Sequence, residues 1–181
     1  MDEVEIVNYD PRWPILFDEE AERLRATLDP SLITGLEHFG STAVPGLSAK
    51  PIIDILIAVR SLADAQASFV EALQNLDYVY WADNPNKDRM FFVKGMPPFG
   101  SRRSHHVHVT EPEGELWQRL LFRDYLRSHP EEAARYEAVK RACARRHPMD
   151  ILAYIDAKGE WIVPIERRLL EEVSGDRPVV G

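Results

Sequence analysis

The eight residues Ile52-Ile53-Asp54-Ile55-Leu56-Ile57-Ala58-Val59 contain one polar side chain. An apolar run of that length, rich in β-branched residues and entered from a proline-containing loop, reads as a buried strand. Its carboxylate, Asp54, sits near the start. A carboxylate among isoleucines is costly to bury unless it is ion-paired, hydrogen-bonded or bound to a metal. The alternative is a solvated strand end that holds the preceding loop. That loop follows a short strand over 33–39 and begins Gly40-Ser41-Thr42. Glycine lets a ligand approach the backbone, and the hydroxyls and N–H groups suit phosphate oxygens. Lys50 adds a cation before the strand. The Gly-x-x-x-x-Gly-Lys-Ser/Thr spacing of a P-loop does not occur, so a plain connection is the competing reading.

The flanking segments alternate in kind. Asp10-Pro11 opens a helix over 11–28 with Phe17, Ala21, Leu24 and Leu28 on one stripe. Ser61 and Asp64 form a near capping box for the next helix, whose stripe is Leu62, Ala65, Phe69, Leu73 and Leu76. Strands are expected over 78–81, 89–94 and 105–110, separated by turn-rich loops. From Glu115 the chain reads as helical: about 115–127, then Ser128-His129-Pro130-Glu131 as a capping-box restart to about Arg146, then about 149–173. Pro164 is expected to kink the last helix. This order predicts a single α/β domain, with a mixed sheet over 1–112, a C-terminal helical cap over 113–174 and a flexible tail over 175–181.

The strand His105-His106-Val107-His108-Val109-Thr110 alternates. His106, His108 and Thr110 share one face, and the two valines take the other, toward a core. The paired histidines suit metal ligation, acid/base chemistry or phosphate binding, or form a chance cluster on a solvated face. Arg102 and Arg103 lie just upstream. Further along, Arg123 and Arg127 are one helical turn apart, as are Tyr154 and Lys158. Lys158 lies beside Ile155, Trp161 and Ile162, where it either snorkels or has a ligand to meet.

Charge and composition exclude several classes. A formal charge of −8 argues against broad nucleic-acid binding. The single cysteine, Cys143, excludes an intrachain disulfide and a multi-cysteine zinc site, and its helical position reads as a buried thiol. The acidic N-terminus lacks a secretory pattern, and no run approaches the roughly 20 apolar residues of a membrane span. The expectation is a cytoplasmic protein without a membrane partner.

The run "HFGSTAVPGLSAKPIIDI" closely resembles the signature of the GrpB family, grouped with the nucleotidyltransferase superfamily; some relatives are fused to dephospho-CoA kinase domains. "YDPRWPILFDEEAERL", "SHHVHV", "LLFRDYLRSHPEEAARYEAVK" and "YIDAKGEWI" extend the resemblance over roughly residues 5–172. It implies a nucleotidyltransferase-like fold. Such enzymes place Gly-Ser after one strand and two carboxylates, spaced by one residue, on the next. A further carboxylate stands on a later strand, and the set holds divalent cations against a nucleoside triphosphate. Gly40, Ser41 and Asp54 match by position. Leu56 stands where the second carboxylate belongs, and His106 and His108 stand on the later strand. Histidine is a poor magnesium ligand and a good one for zinc or manganese.

Three functions follow as expectations. The first is a metal-dependent nucleotidyltransferase-like enzyme. In it, Asp54, His106 and His108 bind Mn, Zn or Mg or act as acid/base groups. A nucleotide or other phosphate compound lies over Gly40, Ser41, Thr42 and Lys50, with Arg103, Arg123, Lys140, Tyr154 and Lys158 around it. The second is a non-catalytic ligand-binding module. The third is a histidine-dependent phosphoesterase.

Overall fold

In a computed structural model, which describes residues 3–112 and 114–175, the apolar strand lies inside one five-stranded sheet. Helix α1 (Trp13–Thr27) precedes strands β1 (Ile33–Phe39) and β2 (Ile53–Val59), which flank the Gly-Ser-Thr loop. Helix α2 (Leu62–Gln74) leads to β3 (Tyr78–Tyr80), β4 (Arg89–Lys94) and β5 (His105–Thr110). Helices α3 (Glu115–Gln118), α4 (Leu120–Ser128), α5 (Pro130–Arg146) and α6 (Ile151–Gly175) complete the order. The strand order is β1-β2-β5-β4-β3, antiparallel except that β2 and β5 run parallel. The tail residues after Gly175 lie outside the described residues.

Alternation decides which face each side chain takes. Ile53, Ile55, Ile57 and Val59 of β2, with Val107 and Val109 of β5, pack against Leu24 of α1 and Phe69 and Leu73 of α2 in the main core. Burying each such side chain contributes about 1.5–3 kcal/mol. The valines of β5 thus face the core, as their alternation requires. A second cluster joins Val44 and Leu47 of the loop to Phe122, Leu126 and Tyr136, so the C-terminal helices clasp the loop. Cys143 is buried and reduced in a third cluster, with Val4 and Tyr154.

Local details depart from the sequence reading in several places. Helix α1 starts at Trp13, because Asp10 accepts a hydrogen bond from the Arg12 N–H at 2.9 Å and holds a turn ahead of the helix. The helix expected over 115–127 breaks at Arg119 into α3 and α4. The capping box at Ser128 does not form: the Ser128 hydroxyl donates back to the Asp124 and Tyr125 carbonyls, and α5 starts at Pro130 without a side-chain cap. Ser61 does cap α2, accepting from the Asp64 N–H at 3.2 Å. Helix α6 runs through Pro164.

Glu20 on α1 is a fully buried carboxylate that the sequence reading did not single out. It accepts from the Tyr78 hydroxyl at 2.9 Å, Lys94 at 2.8 Å and Arg23 at 2.7 Å. Those donors compensate its lost hydration. They tie α1 to the β3–β4 edge. Among the described residues, no helix is long and apolar enough to cross a membrane.

Candidate functional site

Register builds the site. Asp54 lies level with His106 across the parallel β2–β5 pair, and Leu56 lies level with His108. Side chains level across neighbouring strands share a face. Asp54, His106 and His108 therefore stand together on the face opposite the α1–α2 core. Their candidate ligand atoms all lie within 4.8 Å of one another. The set is half-buried, with the Asp54 side chain 27% exposed and that of His106 11%.

Electrostatics assigns the proton between the first two. Burial pushes the Asp54 carboxyl up, but the His106 hydrogen bond and the electrostatic pull of His106 and Lys50 outweigh it and hold the group below its ordinary value. An ionised carboxylate only accepts, so His106 Nδ1 donates to Asp54 Oδ1 at 2.9 Å. In the neutral ring Nε2 then presents its lone pair. Burial drives His108 down to about 3, against the opposing pull of Asp54, so its ring is neutral at physiological pH. His106 Nε2 and His108 Nδ1 are buried and have no hydrogen-bond partner among the described residues. Phe91 packs on both rings, with centroid distances of 5.1 Å to His106 and 4.6 Å to His108.

The loop has a divided task. Gly40 adopts φ +71°, and a Cβ there would stand 2.6 Å from Asp54 Oδ2. Thr42 is buried and turned inward. Its hydroxyl lies 3.1 Å from His38 Nε2 and donates to the Ile52 carbonyl at 3.4 Å. Ser41 opposes the rise that burial gives the pKa of the Tyr136 hydroxyl on α5.

Two cations meet at one aromatic ring. Lys50 and Lys158 place their Nζ atoms 5.9 and 5.5 Å from the ring centroid of buried Tyr154. Each interacts electrostatically with Asp54. Burial lowers the Lys158 pKa, with Asp54 opposing and Arg119 reinforcing the shift. Arg119 also faces Glu166 at 3.8 Å and acts on His108.

Other residues singled out from sequence have different surroundings. Arg123 is buried, donating to Glu37 at 2.7 Å, to the His38 carbonyl at 2.8 Å and to Asp124 at 2.8 and 3.1 Å. Arg127 donates to the Ala43 carbonyl at 2.9 Å. Lys140 is buried, donates to the Ser48 carbonyl and lies 4.7 Å from the Tyr136 ring centroid. These three cations hold β1 and both ends of the loop against the helices. Arg103 is half-buried in the loop before β5.

A model of the GrpB protein family matches residues 3–168. The chain belongs to the GrpB family. A UPF0157 protein of Pseudomonas aeruginosa is 51% identical over 170 residues, covering 93% of this chain and 69% of the relative. The UPF0157 protein YqkA of Bacillus subtilis is 43% identical, and the chain spans only 46% of its length while 90% of this chain is covered. A dephospho-CoA kinase of Mycolicibacterium paratuberculosis is 34% identical over 91% of this chain and 46% of its own length. The crystal structure of a GrpB protein from Enterococcus faecalis superposes with a TM-score of 0.82 at 32% identity, covering 93% of this chain and 99% of that one.

Within this GrpB-family chain, sequence reasoning missed Arg119, Glu166 and Tyr136 at the site. Arg119 and Glu166 look like ordinary exposed helix charges in sequence. Only the packing of α3 and α6 brings them to the sheet face. Tyr136 carried a weak signal, because an aromatic on the polar helix α5 needs something to pack against.

Proposed function

We propose that this chain binds a small phosphate-containing molecule, of the nucleotide class, on the sheet face beside Asp54, and acts on it there. One observation carries the reading: Lys50 and Lys158 converge on Tyr154 and on the same carboxylate that pairs with His106. Half-buried cations grouped beside an ionisable reactive cluster suit an anionic substrate. In this reading Gly40 lets substrate approach the backbone, Ser41 and Tyr136 offer hydroxyls, and the lysines neutralise phosphate. Nucleotidyl transfer is the proposed reaction class. The relatives named as dephospho-CoA kinases accord with a phosphate-bearing ligand.

Leu56 favours a second reading. It is fully buried at the position where nucleotidyltransferases carry their second metal carboxylate. The side chains present do not fit a pair of magnesium ions. A ligand-binding module without turnover has the same cations and the same cleft.

The test is thermal stability of the purified chain against a panel of nucleoside triphosphates, monophosphates and inorganic phosphate, each with a divalent metal and with a chelator. A shift of several degrees with at least one phosphate compound is expected, and no shift with any at millimolar concentration overturns both readings. Release of pyrophosphate with a binding nucleotide and an acceptor hydroxyl selects transfer. Binding without turnover selects the module.

A further inference from the structure

We propose that Asp54, His106 and His108 form a site for one zinc-class transition dication, and not for magnesium. This rests on the triad alone and not on the phosphate reading. Two imidazoles and one carboxylate come within 4.8 Å of one another. His106 is nine-tenths buried, and its Nε2 and the Nδ1 of His108 are both buried without a hydrogen-bond partner among the described residues. Buried unpaired nitrogens are costly and uncommon, and where they occur they call for a bound group. A cation ligated by His108 Nδ1 satisfies that atom, while Asp54 and His106 Nδ1, 2.9 Å apart, share the same ion once the proton between them leaves to solvent. The His106–Asp54 hydrogen bond holds two of the groups together in its absence.

The donor set decides the class of metal. Magnesium demands near-octahedral oxygen ligation, and this face offers one carboxylate. Imidazole nitrogens with one carboxylate suit zinc, cobalt or iron(II), and two histidines with one acidic residue recur in zinc enzymes that keep a position open for substrate. Leu56, the departure from the magnesium pattern, is accordingly an apolar wall beside His108. Phe91 and Phe39, whose ring centroid is 5.9 Å from that of His108, pack on that ring and hold it in place.

The experiment uses the full chain stripped with a chelator and titrated calorimetrically with zinc, then magnesium, with no phosphate compound present. One zinc per chain is expected, bound at least about a hundredfold more tightly than magnesium. His108→Gln, neutral for neutral, lowers zinc affinity by about tenfold or more. Zinc-edge X-ray absorption of the unmutated chain counts imidazole ligands independently of any variant's folding, and two are expected. Absence of saturable zinc binding, equal magnesium affinity, unchanged binding by His108→Gln, or fewer than two imidazoles would each overturn the site. A failed phosphate titration leaves these outcomes untouched, so the two proposals fail separately.

Discussion

Gly40 and Asp54 are fitted to each other: a Cβ on Gly40 would lie 2.6 Å from Asp54 Oδ2 and 3.3 Å from its Cβ. The loop backbone therefore forms one wall of the carboxylate's seat. At φ +71° and ψ −168°, Gly40 also occupies a region that L-residues reach only with strain.

Gly40→Ala combines strain with displacement of Asp54. The expected loss is about 2–4 kcal/mol of stability, measured by denaturant unfolding. Gly159 in α6 is the internal control, because a Cβ there meets nothing within 4 Å. Gly159→Ala should stabilise by about 0.5–1 kcal/mol. Equal responses at the two sites would remove the special role of Gly40.

Lys140 makes the stability depend on pH. Burial, reinforced by Lys158, lowers its pKa to about 7 from 10.5. Between those values the unfolded chain holds a proton that the folded chain has lost. Stability attributable to this group therefore rises with pH across that window, by at most about 1.4 kcal/mol per pH unit. Below pH 7 both states are protonated and the full cost of burying the charge is present. Lys140→Met should abolish the slope while losing the Ser48 hydrogen bond. Parallel stability curves for the two proteins from pH 7 to 10 would contradict the assignment.

Strands were the most legible part of the sequence. The segments 33–39, 89–94 and 105–110 have the bounds that alternation and turn residues assign. Alternation also put His106 and His108 on one face. It could not put Asp54 beside them, since that depends on β2 and β5 becoming parallel neighbours, with α2 and two strands inserted between them. Nor does sequence tell a ligand-binding cation from a structural one. Arg123 and Lys158 have similar helical surroundings in one dimension, yet one spends its guanidinium on Glu37, His38 and Asp124 while the other faces Asp54. The break at Arg119 was hidden because both sides of it are good helix formers.

Leu56→Asp restores the two-carboxylate spacing in sequence, but should not restore magnesium chemistry. Leu56 is fully buried. A carboxylate there costs several kcal/mol when ionised. Burial would raise its folded pKa above the unfolded value of about 3.9, so the penalty is absent at low pH and grows as pH rises through that value. Unfolding at pH 4 and pH 7 should show the larger deficit at pH 7. Tight magnesium binding without loss of stability would count against the zinc-class site.

Lys158 and Arg123 separate binding from scaffolding. Lys158 carries a burial cost, and its removal leaves no described hydrogen bond broken. Lys158→Gln should change stability by less than about 1 kcal/mol. It should also weaken whichever phosphate compound binds by about tenfold or more, the loss of one charge-assisted contact. Arg123→Gln should do the reverse. It strips donors from Glu37 and the His38 carbonyl and should cost about 1–3 kcal/mol, since Glu37 and Asp124 are partly solvated. Ligand affinity of the folded fraction should be nearly unchanged. Calorimetric titration and denaturant unfolding of both variants decide the matter. If Arg123→Gln lost affinity and Lys158→Gln did not, the anion site would belong on the α4 side of the loop and not beside Tyr154.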